Sequence, residues 1–310
     1  MYCVFSPIDG GAAKRWQDRV EGSVSEGVAL ARHTSYRVGG PAKYLIVPAT
    51  VDDVCTSFTS GEDTWVIGGG SNVLVADAGL DGVVLKICRT LAHISAHDGE
   101  VVVGAGRLLP SLVQSCLEMG LAGMEWAAGI PGTVGGAVCT NAGAFGSAMW
   151  DRVEYVALVG ADGSRLQLGS GDVEAGYRGA RFPVPRPFAV TEVALRLVPS
   201  DGGRVRDLTE EYKARRADSQ PVGEASAGCV FKNPPEGSPA GELIDKAGLK
   251  GRARGAASVS TKHANFIING GGASAADIYG LIEEVREAVR EKFGVTLELE
   301  IQLLGDFSNA

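Results

Sequence analysis

Residues 129–146 read GIPGTVGGAVCTNAGAFG, a segment with six glycines and no charged side chain. Such a segment lets the main chain pack directly against a flat or extended ligand. A second tract, TWVIGGGSNVLV at 64–75, places Gly68–Gly70 between two β-rich runs. Consecutive glycines allow backbone N–H groups to converge on an anion, and Ser71 and Asn72 add side-chain donors. Together the two tracts predict one large nucleotide-like ligand that is held mainly by main-chain contacts.

Each tract also has a plainer explanation. The triple-glycine tract is compatible with a wide hairpin loop, and the longer tract with a series of buried turns. The chain contains neither a G-x-G-x-x-G fingerprint that opens a helix nor a G-x-x-x-x-G-K-[ST] loop. The common dinucleotide and P-loop motifs are therefore excluded.

The composition describes a folded protein. Glycine accounts for 44 of the 310 residues, well above its average share of ~7%, yet it follows no G-X-Y period and proline is only 13. With 45% hydrophobic residues, the chain is neither collagen-like nor disordered, and its length favours two or three domains. No apolar run reaches the ~18 residues of a membrane helix, and the first residues, MYCVFSPIDGGAAKRW, do not resemble an export signal. We therefore expect a cytoplasmic protein with no membrane partner.

Charge and cysteine spacing exclude two further classes. The net charge is −8, from 29 basic and 37 acidic residues, and no basic block is present, so a nucleic-acid partner is not expected. The six cysteines lie far apart with no C-x-x-C pair, which argues against a metal site and against a disulfide scaffold. Most of them are expected to be small core residues.

The pattern of short runs predicts the organisation of the chain. Residues 1–28 are interpreted as a loose N-terminal arm, with regular structure from about Arg32. Two β-rich units follow at 29–100 and 101–205, and a charged helix over 208–221 leads into a third unit at 206–310. Near the end, a capping box formed by Ser274 and Asp277 predicts a helix that Gly294 ends.

The final run, VTLELEIQLL at 295–304, alternates between apolar and polar residues and predicts one strand. The residues expected to face the core are Val295, Leu297, Leu299, Ile301 and Leu303. The residues expected on the opposite face are Glu298, Glu300 and Gln302.

Seven segments in order resemble the UDP-N-acetylenolpyruvoylglucosamine reductase family, over about residues 34–305. They are HTSYRVGGPA (33–42), VIGGGSNVLV (66–75), GIPGTVGGAVCTNAGAFG (129–146), YRGARF (177–182), AGCVFKNP (227–234), AGELIDKAGLKG (240–251) and STKHANFIINGG (260–271). The resemblance implies an α+β fold: a two-part FAD-binding module of the vanillyl-alcohol-oxidase (PCMH) type, at 29–100 and 101–205, and a C-terminal α/β substrate-binding domain at 206–310. The short stretch between YRGARF and AGCVFKNP is similar to the family's second type (type II), which lacks an inserted tyrosine loop.

The resemblance also implies the reaction. In this family NADPH reduces FAD, and a hydride then passes to C3 of the enolpyruvyl group of UDP-N-acetylglucosamine enolpyruvyl ether while a proton is delivered at C2. The product is UDP-N-acetylmuramate, a precursor of peptidoglycan, which connects the enzyme to cell wall biogenesis, cell shape and cell division. Because NADPH and the substrate would use the same face of the FAD flavin in turn, we expect ping-pong kinetics and inhibition by excess substrate. A monomer is expected.

The motifs assign site residues to this sequence. The expected FAD contacts are Gly68, Gly69, Gly70, Ser71, Asn72, Gly129, Gly132, Thr133, Gly135, Gly136, Asn141 and Ala142. The expected substrate contacts are Tyr177, Lys232, Asn233, Lys262 and His263.

Two charged residues are expected to act on the enolpyruvyl carboxylate. Arg178 carries a permanent charge and can bind a carboxylate through a two-pronged fork, an interaction that strengthens as negative charge builds up. Without the resemblance, it would be interpreted as a surface arginine. Glu300 aligns with the family's catalytic glutamate, and a neighbouring carboxylate would raise its pKa. Glu298 faces the same side and is the competing candidate; we favour Glu300 because it precedes the I-x-L-x-G ending.

Cys229 departs from the family pattern, since most members carry serine after AG. A thiol with a pKa of ~8.5 is mostly protonated at neutral pH, yet it releases its proton far more readily than a hydroxyl. Cys229 is therefore a competent proton donor to C2. The alternative is a buried, inert cysteine that has lost this role.

Two other functions compete with this interpretation. A carbohydrate oxidase on the same scaffold would share the glycine tracts but would lack the YRGARF and AGCVFKNP motifs and Glu300 together. A non-catalytic sensor that binds a flavin or a UDP-sugar is favoured only by the change at Cys229.

Overall fold

The computed structural model describes residues 16–308. The α-helices are α1 (Val51–Phe58), α2 (Leu109–Glu118), α3 (Val134–Thr140), α4 (Gly202–Ser219), α5 (Ala240–Lys246) and α6 (Ala275–Phe293). The first ten strands are β1 (Ser23–Ala29), β2 (Pro41–Val47), β3 (Thr64–Ile67), β4 (Val73–Val75), β5 (Leu80–Lys86), β6 (Ile94–His97), β7 (Glu100–Gly104), β8 (Leu121–Ala122), β9 (Gly143–Ala144) and β10 (Ser147–Ala148). The others are β11 (Val153–Val159), β12 (Arg165–Gly169), β13 (Glu174–Gly176), β14 (Gly179–Arg181), β15 (Ala189–Arg196), β16 (Val198–Pro199), β17 (Ala253–Arg254), β18 (Ala257–Val259), β19 (Ile267–Asn269) and β20 (Gln302–Leu304).

Two sheets form the first two-thirds of the chain. The first has the order β1-β2-β5-β3, with β5 parallel to both β2 and β3. The second has the order β12-β11-β15-β7-β6 and is antiparallel throughout. Apolar side chains from both sheets and from α2 and α3 share one core, which includes Ile46, Leu85, Leu109 and Val156. Burial of this shared core fixes the two sheets against each other.

The C-terminal part has its own core. Helices α5 and α6 pack together, and α6 lies against the sheet β17-β18-β19. Helix α6 begins at the capping box of Ser274 and Asp277 and ends at Gly294 in the left-handed conformation, as predicted. The carboxylate of Asp77, from the first part of the chain, accepts from the N–H groups of Ala275 and Ala276 at 2.8 and 2.9 Å. The parallel pair β4–β20 joins the two parts a second time.

Three predictions of local structure and one alternative interpretation were wrong. The N-terminal arm is structured where it is described: Trp16 and Val20 are buried in the shared core, and β1 pairs with β2. The remainder of that arm, residues 1–15, lies outside the described residues. No residue of strand β1 is fully buried. The strand therefore needs no strongly apolar face, and its sequence gives little sign of it.

The strand predicted over 295–304 is only three residues long, at β20. Residues 298–300 instead pair with residues 230–232 through a single bridge, with Glu300 N donating to the Val230 carbonyl at 2.8 Å. The alternation of side chains survives, because Leu297 and Ile301 are buried. The charged helix also begins earlier than predicted, at Gly202, because Asp201 caps it through the Gly203 N–H.

The hairpin interpretation of the triple-glycine tract was wrong too, since β3 and β4 belong to different sheets. The domain boundaries stay predictions. Within residues 16–308, no helix is both long enough and apolar enough to cross a bilayer.

Candidate active site

A cavity of about 710 Å³ lies where the two sheets meet the C-terminal part. Its volume is within the range of small-molecule and cofactor sites. Both glycine tracts line it, and so do the three residues with predicted catalytic roles, Arg178, Cys229 and Glu300. Of the expected FAD contacts, ten line the cavity: Gly68, Gly69, Gly70, Ser71, Asn72, Gly132, Thr133, Gly135, Gly136 and Ala142.

The two glycine tracts pack against each other. A Cβ on Gly69 would lie 2.7 Å from the Cα of Gly132, and one on Gly68 would lie 2.2 Å from Oγ1 of Thr133. Both distances are shorter than real Cβ contacts allow, so a side chain at either position would push the tracts apart. Part of the glycine requirement is thus contact between segments of protein rather than approach to a ligand.

The triple-glycine tract bonds the protein through its carbonyl groups. The Gly68 carbonyl accepts from Nζ of Lys86 at 3.3 Å, and the Gly70 carbonyl accepts from the N–H of Ser35 at 2.9 Å. In a trans peptide, the following N–H points in the opposite direction, which turns the N–H groups of Gly69 and Ser71 away from these partners. Within residues 16–308, no acceptor is paired with any backbone N–H of residues 68–72.

Lys86 was missed by the sequence analysis. It is half-buried at the end of β5, and burial lowers the pKa of its ammonium group. Its Nζ also reaches the carbonyl of His33 at 3.5 Å, and within the described residues it has no carboxylate partner. A cation at this place favours an anionic ligand in the tract in front of it.

These features fit the FAD that the motifs imply. The Oγ1 atom of Thr133 is buried in the cavity wall and has no hydrogen-bond partner within the described residues. Together with the free N–H groups of residues 68–72 it supplies donors for phosphate and flavin oxygens. The residues present therefore suit a large anionic cofactor bound by main chain.

Two expected FAD contacts, Gly129 and Asn141, lie outside the cavity wall. Gly129 packs against the side chain of Arg216, whose Cδ would be 3.2 Å from an added Cβ. The side-chain amide of Asn141 makes two bonds to the protein: Nδ2 donates to the Gly176 carbonyl at 2.8 Å, and Oδ1 accepts from the N–H of Trp150 at 3.1 Å. Neighbouring protein contacts both residues, and their assignment to cofactor contact stays a prediction.

Arg178 and Glu300 form an ion pair in the cavity wall. Nε of Arg178 lies 3.2 Å from Oε1 of Glu300, and the side chains are 26% and 20% exposed. The Nε–H is not aligned with the carboxylate and has no other hydrogen-bond partner within the described residues. Nη1 of Arg178 donates to the Gly143 carbonyl at 2.7 Å, which anchors one end of the guanidinium. The guanidinium thus lines the cavity with its Nε buried beside the Glu300 carboxylate.

The pKa of Glu300 is raised, but not through the neighbouring carboxylate that the sequence led us to expect. Burial is the main cause, and the charges of Arg178 and Lys232 oppose it. Its backbone carbonyl accepts from Nδ2 of Asn72 at 3.1 Å, which connects the triple-glycine tract to the glutamate. The competing Glu298 is 78% exposed and lies 3.7 Å from Nζ of Lys232, outside the cavity wall.

The Cys229 thiol lies in the cavity wall in a desolvated position. Burial and the carboxylate of Glu300 raise its pKa to about 12, against the opposing charges of Arg178 and Arg216. The thiol is therefore protonated throughout the neutral range, and it is a weaker acid than the ordinary thiol that the sequence led us to expect. A protonated group at this place can give up a proton but is a poor nucleophile.

The predicted substrate contacts are less well placed. Lys232 and Asn233 do not line the cavity, and Oδ1 of Asn233 accepts from the N–H of Ala240 at the start of α5. Lys262 donates through Nζ to the Ala217 carbonyl near the end of α4. His263 accepts from the N–H of Asn265 through Nδ1, and burial lowers its pKa. Tyr177 is exposed and stacks under the guanidinium of Arg178, with Cζ 5.5 Å from the ring centre.

Arg216 is a second residue that the sequence analysis missed. It lines the cavity from α4, where Nε donates to the Ala128 carbonyl and Nη1 to Gln220, each at 3.1 Å. Its Nη2 is buried without a partner among the described residues, so it can bind an anion. In the sequence it is one of several basic residues in a charged helix, and no local signal sets it apart.

An anion cradle of main-chain donors beside an acid, a thiol and a guanidinium suits an enzyme with a large anionic cofactor, and the family matches make the chain an FAD-dependent oxidoreductase. A family model described as "FAD binding domain" matches residues 42–169, and one described as "UDP-N-acetylenolpyruvoylglucosamine reductase, C-terminal domain" matches residues 220–304. The chain belongs to the UDP-N-acetylenolpyruvoylglucosamine reductase family, which confirms the resemblance, the fold class and the FAD cofactor.

Individual relatives agree with this assignment. The UDP-N-acetylenolpyruvoylglucosamine reductase of Geobacter metallireducens is 42% identical over 297 residues, which cover 94% of this chain and 97% of that protein. The reductase of Bacillus subtilis is 38% identical over 293 residues, covering 93% and 96%. The crystal structure of the reductase from Thermus caldophilus superposes with a TM-score of 0.81 at 37% identity, covering 92% of this chain and all of that one.

Proposed function

We propose that this chain reduces UDP-N-acetylenolpyruvoylglucosamine to UDP-N-acetylmuramate with NADPH as the reductant, as a step of peptidoglycan precursor synthesis. The observation that carries the proposal is the convergence of Arg178, Cys229 and Glu300 on one cavity beside the glycine tracts. Family membership supplies the substrate class, since the relatives are named for the same reductase. In the reaction the C2=C3 double bond is lost, a hydride adds at C3 and a proton at C2.

FAD, when bound, accepts the hydride of NADPH and supplies it to C3. The chain's own residues orient the substrate and handle charge and proton. Arg178 binds the substrate carboxylate through its guanidinium, which lines the cavity. As electrons move from C3 toward C2 and the carboxylate, this interaction strengthens and lowers the barrier.

Glu300 and Cys229 divide the proton chemistry. The raised pKa of Glu300 favours a carboxyl group that shares its proton with the substrate carboxylate, so the two acids do not repel each other. Cys229 holds its proton firmly in the free protein, and the electron-rich C2 carbon of the reacting substrate is a far stronger base than water. Cys229 thus delivers the proton at C2, and solvent restores it after product release.

The UDP part of the substrate needs cations and hydrogen bonds near the cavity mouth. Nη2 of Arg216 is a buried donor without a partner among the described residues and can bind a phosphate. Nζ of Lys232 lies 3.7 Å from Oε2 of Glu298, a loose contact that lets Lys232 turn toward a ligand. Tyr177 supplies an exposed ring beside Arg178. Asn233, Lys262 and His263 remain candidates through the donors that their present contacts leave free. The monomeric state and the cytoplasmic location also stay predictions.

The test is a steady-state assay of the purified, FAD-loaded protein. We expect NADPH oxidation that requires the enolpyruvyl substrate, ping-pong kinetics and a product heavier by two hydrogen atoms. UDP-N-acetylglucosamine, which lacks the enolpyruvyl group, is the control and gives no turnover. FAD-loaded protein that oxidises no NADPH with the enolpyruvyl substrate would contradict the proposal.

A further inference from the structure

The hairpin that carries Arg178 receives a hydrogen bond from the side chain of Asn141. Strands β13 and β14 form this hairpin, and Arg178 sits in its turn with a φ of 54°. A non-glycine residue in the left-handed region is strained and persists only when the surrounding structure fixes it. Within YRGARF, Phe182 lies in the shared core and Ala180 packs against it, but the flanking strands are only three residues long and these contacts do not reach the turn.

Asn141 joins three elements at this point. It ends helix α3 with a φ of 43°, so its backbone belongs to the helix that lines the cavity. Its Nδ2 donates to the Gly176 carbonyl at the end of β13, at 2.8 Å. Its Oδ1 accepts from the N–H of Trp150, at 3.1 Å, which fixes the amide plane so that Nδ2 faces the hairpin.

The guanidinium of Arg178 returns to the same segment. Nη1 donates to the Gly143 carbonyl at 2.7 Å, two residues after Asn141 in the chain. Residues 141–143 therefore contact both the hairpin backbone at Gly176 and the guanidinium of Arg178. We propose that Asn141 is a positioning residue that sets the geometry of Arg178 toward the substrate carboxylate, and does not contact FAD. This inference rests on the proposed function, because it assumes that Arg178 acts in the reduction step.

Two substitutions separate positioning from cofactor binding. Asn141→Gly removes both side-chain bonds while keeping a residue that adopts a positive φ. Asn141→Asp keeps the shape and the acceptor but places an oxygen against the Gly176 carbonyl, so it remains informative if the glycine variant folds poorly. Asn269→Asp is a matched control, since Asn269 also bonds through both amide atoms, to Tyr36, Gly271 and Ala273.

The first measurement is a double-mutant cycle on the rate at which substrate reoxidises the reduced flavin. We expect Asn141→Gly to slow this rate about tenfold or more when Arg178 is present, and about twofold or less in an Arg178→Lys background. FAD affinity and the rate of reduction by NADPH should stay within about twofold of the unmodified protein. Equal slowing in both backgrounds, or a loss of FAD that matches the loss of rate, would overturn the proposal.

The second measurement does not depend on the reaction. Hydrogen exchange of residues 174–181 in the FAD-loaded protein should become faster in both Asn141 variants and not in Asn269→Asp. Unchanged exchange would refute the positioning role. If the unmodified protein is not reoxidised by substrate, the proposed function fails, but the exchange of the hairpin still decides whether Asn141 holds it.

Discussion

Nε of Arg178 lies 3.2 Å from Oε1 of Glu300, across a wall that also carries the Cys229 thiol. Arg178 comes from the β13–β14 hairpin, and Glu300 comes from the segment just before β20. An acid, a cation and a protonated thiol thus meet beside the glycine tracts. The expectations below follow from this arrangement.

Cys229 should be replaceable by serine but not by alanine. A hydroxyl can still pass a proton to C2, although more slowly, whereas a methyl group cannot. For Cys229→Ala we expect reoxidation of the reduced flavin by substrate to slow by about 10²-fold or more, and for Cys229→Ser by about tenfold or less. Reduction by NADPH is the internal control and should not change. Unimpaired turnover in the alanine variant would show that Cys229 is not the donor.

The pH dependence should reflect the raised pKa of Cys229, about 12. A group with a raised pKa stays protonated below it, so the donor is intact at pH 7 and is lost only as pH rises toward that value. The reoxidation rate should therefore show no thiol ionisation between about pH 7 and 9, and iodoacetamide should alkylate Cys229 slowly at pH 8. A rate that falls with a midpoint near ~8.5, the ordinary thiol value, would contradict this.

Glu300 and Glu298 provide a matched pair, since one lines the cavity and the other faces solvent. Glu300→Gln cannot share a proton with the substrate carboxylate, so we expect reoxidation to slow about 10²-fold. Glu298→Gln should stay within about twofold. The same effect in both variants would mean that the glutamate acts through charge alone and that its place in the cavity is irrelevant.

Lys86 should contribute to FAD binding without contacting the substrate. Lys86→Met removes the donor that orients the Gly68 carbonyl and the charge behind the tract, so we expect FAD affinity to fall about tenfold. Because burial lowers the pKa of this lysine, the FAD-free protein should not lose thermal stability in the variant. Lys43→Met, at an exposed lysine of the same sheet, is the control. Equal FAD affinity in both variants would remove Lys86 from the cofactor site.

Much of this site could be predicted from the sequence, because its donors are main-chain groups that glycine exposes, and glycine is visible in a sequence. Helix α6 could also be predicted, because its capping box and its apolar period are local features of the sequence. The roles of Lys86 and Arg216 could not be predicted. They depend on carbonyl groups that the tertiary structure brings near these side chains. The amides of Asn141 and Asn233 bind backbone groups that no local pattern indicates, so these contacts could not be predicted either.

The most direct test of the account is an anaerobic single turnover. The protein-bound flavin is reduced with one equivalent of NADPH, the enolpyruvyl substrate is added, and the absorbance of oxidised flavin is followed in the unmodified protein and in Arg178→Ala. We expect full reoxidation in the unmodified protein, no reoxidation with UDP-N-acetylglucosamine, and slowing of about 10²-fold or more in the variant. Flavin that stays reduced in the unmodified protein, or equal rates in both proteins, would contradict the central claim.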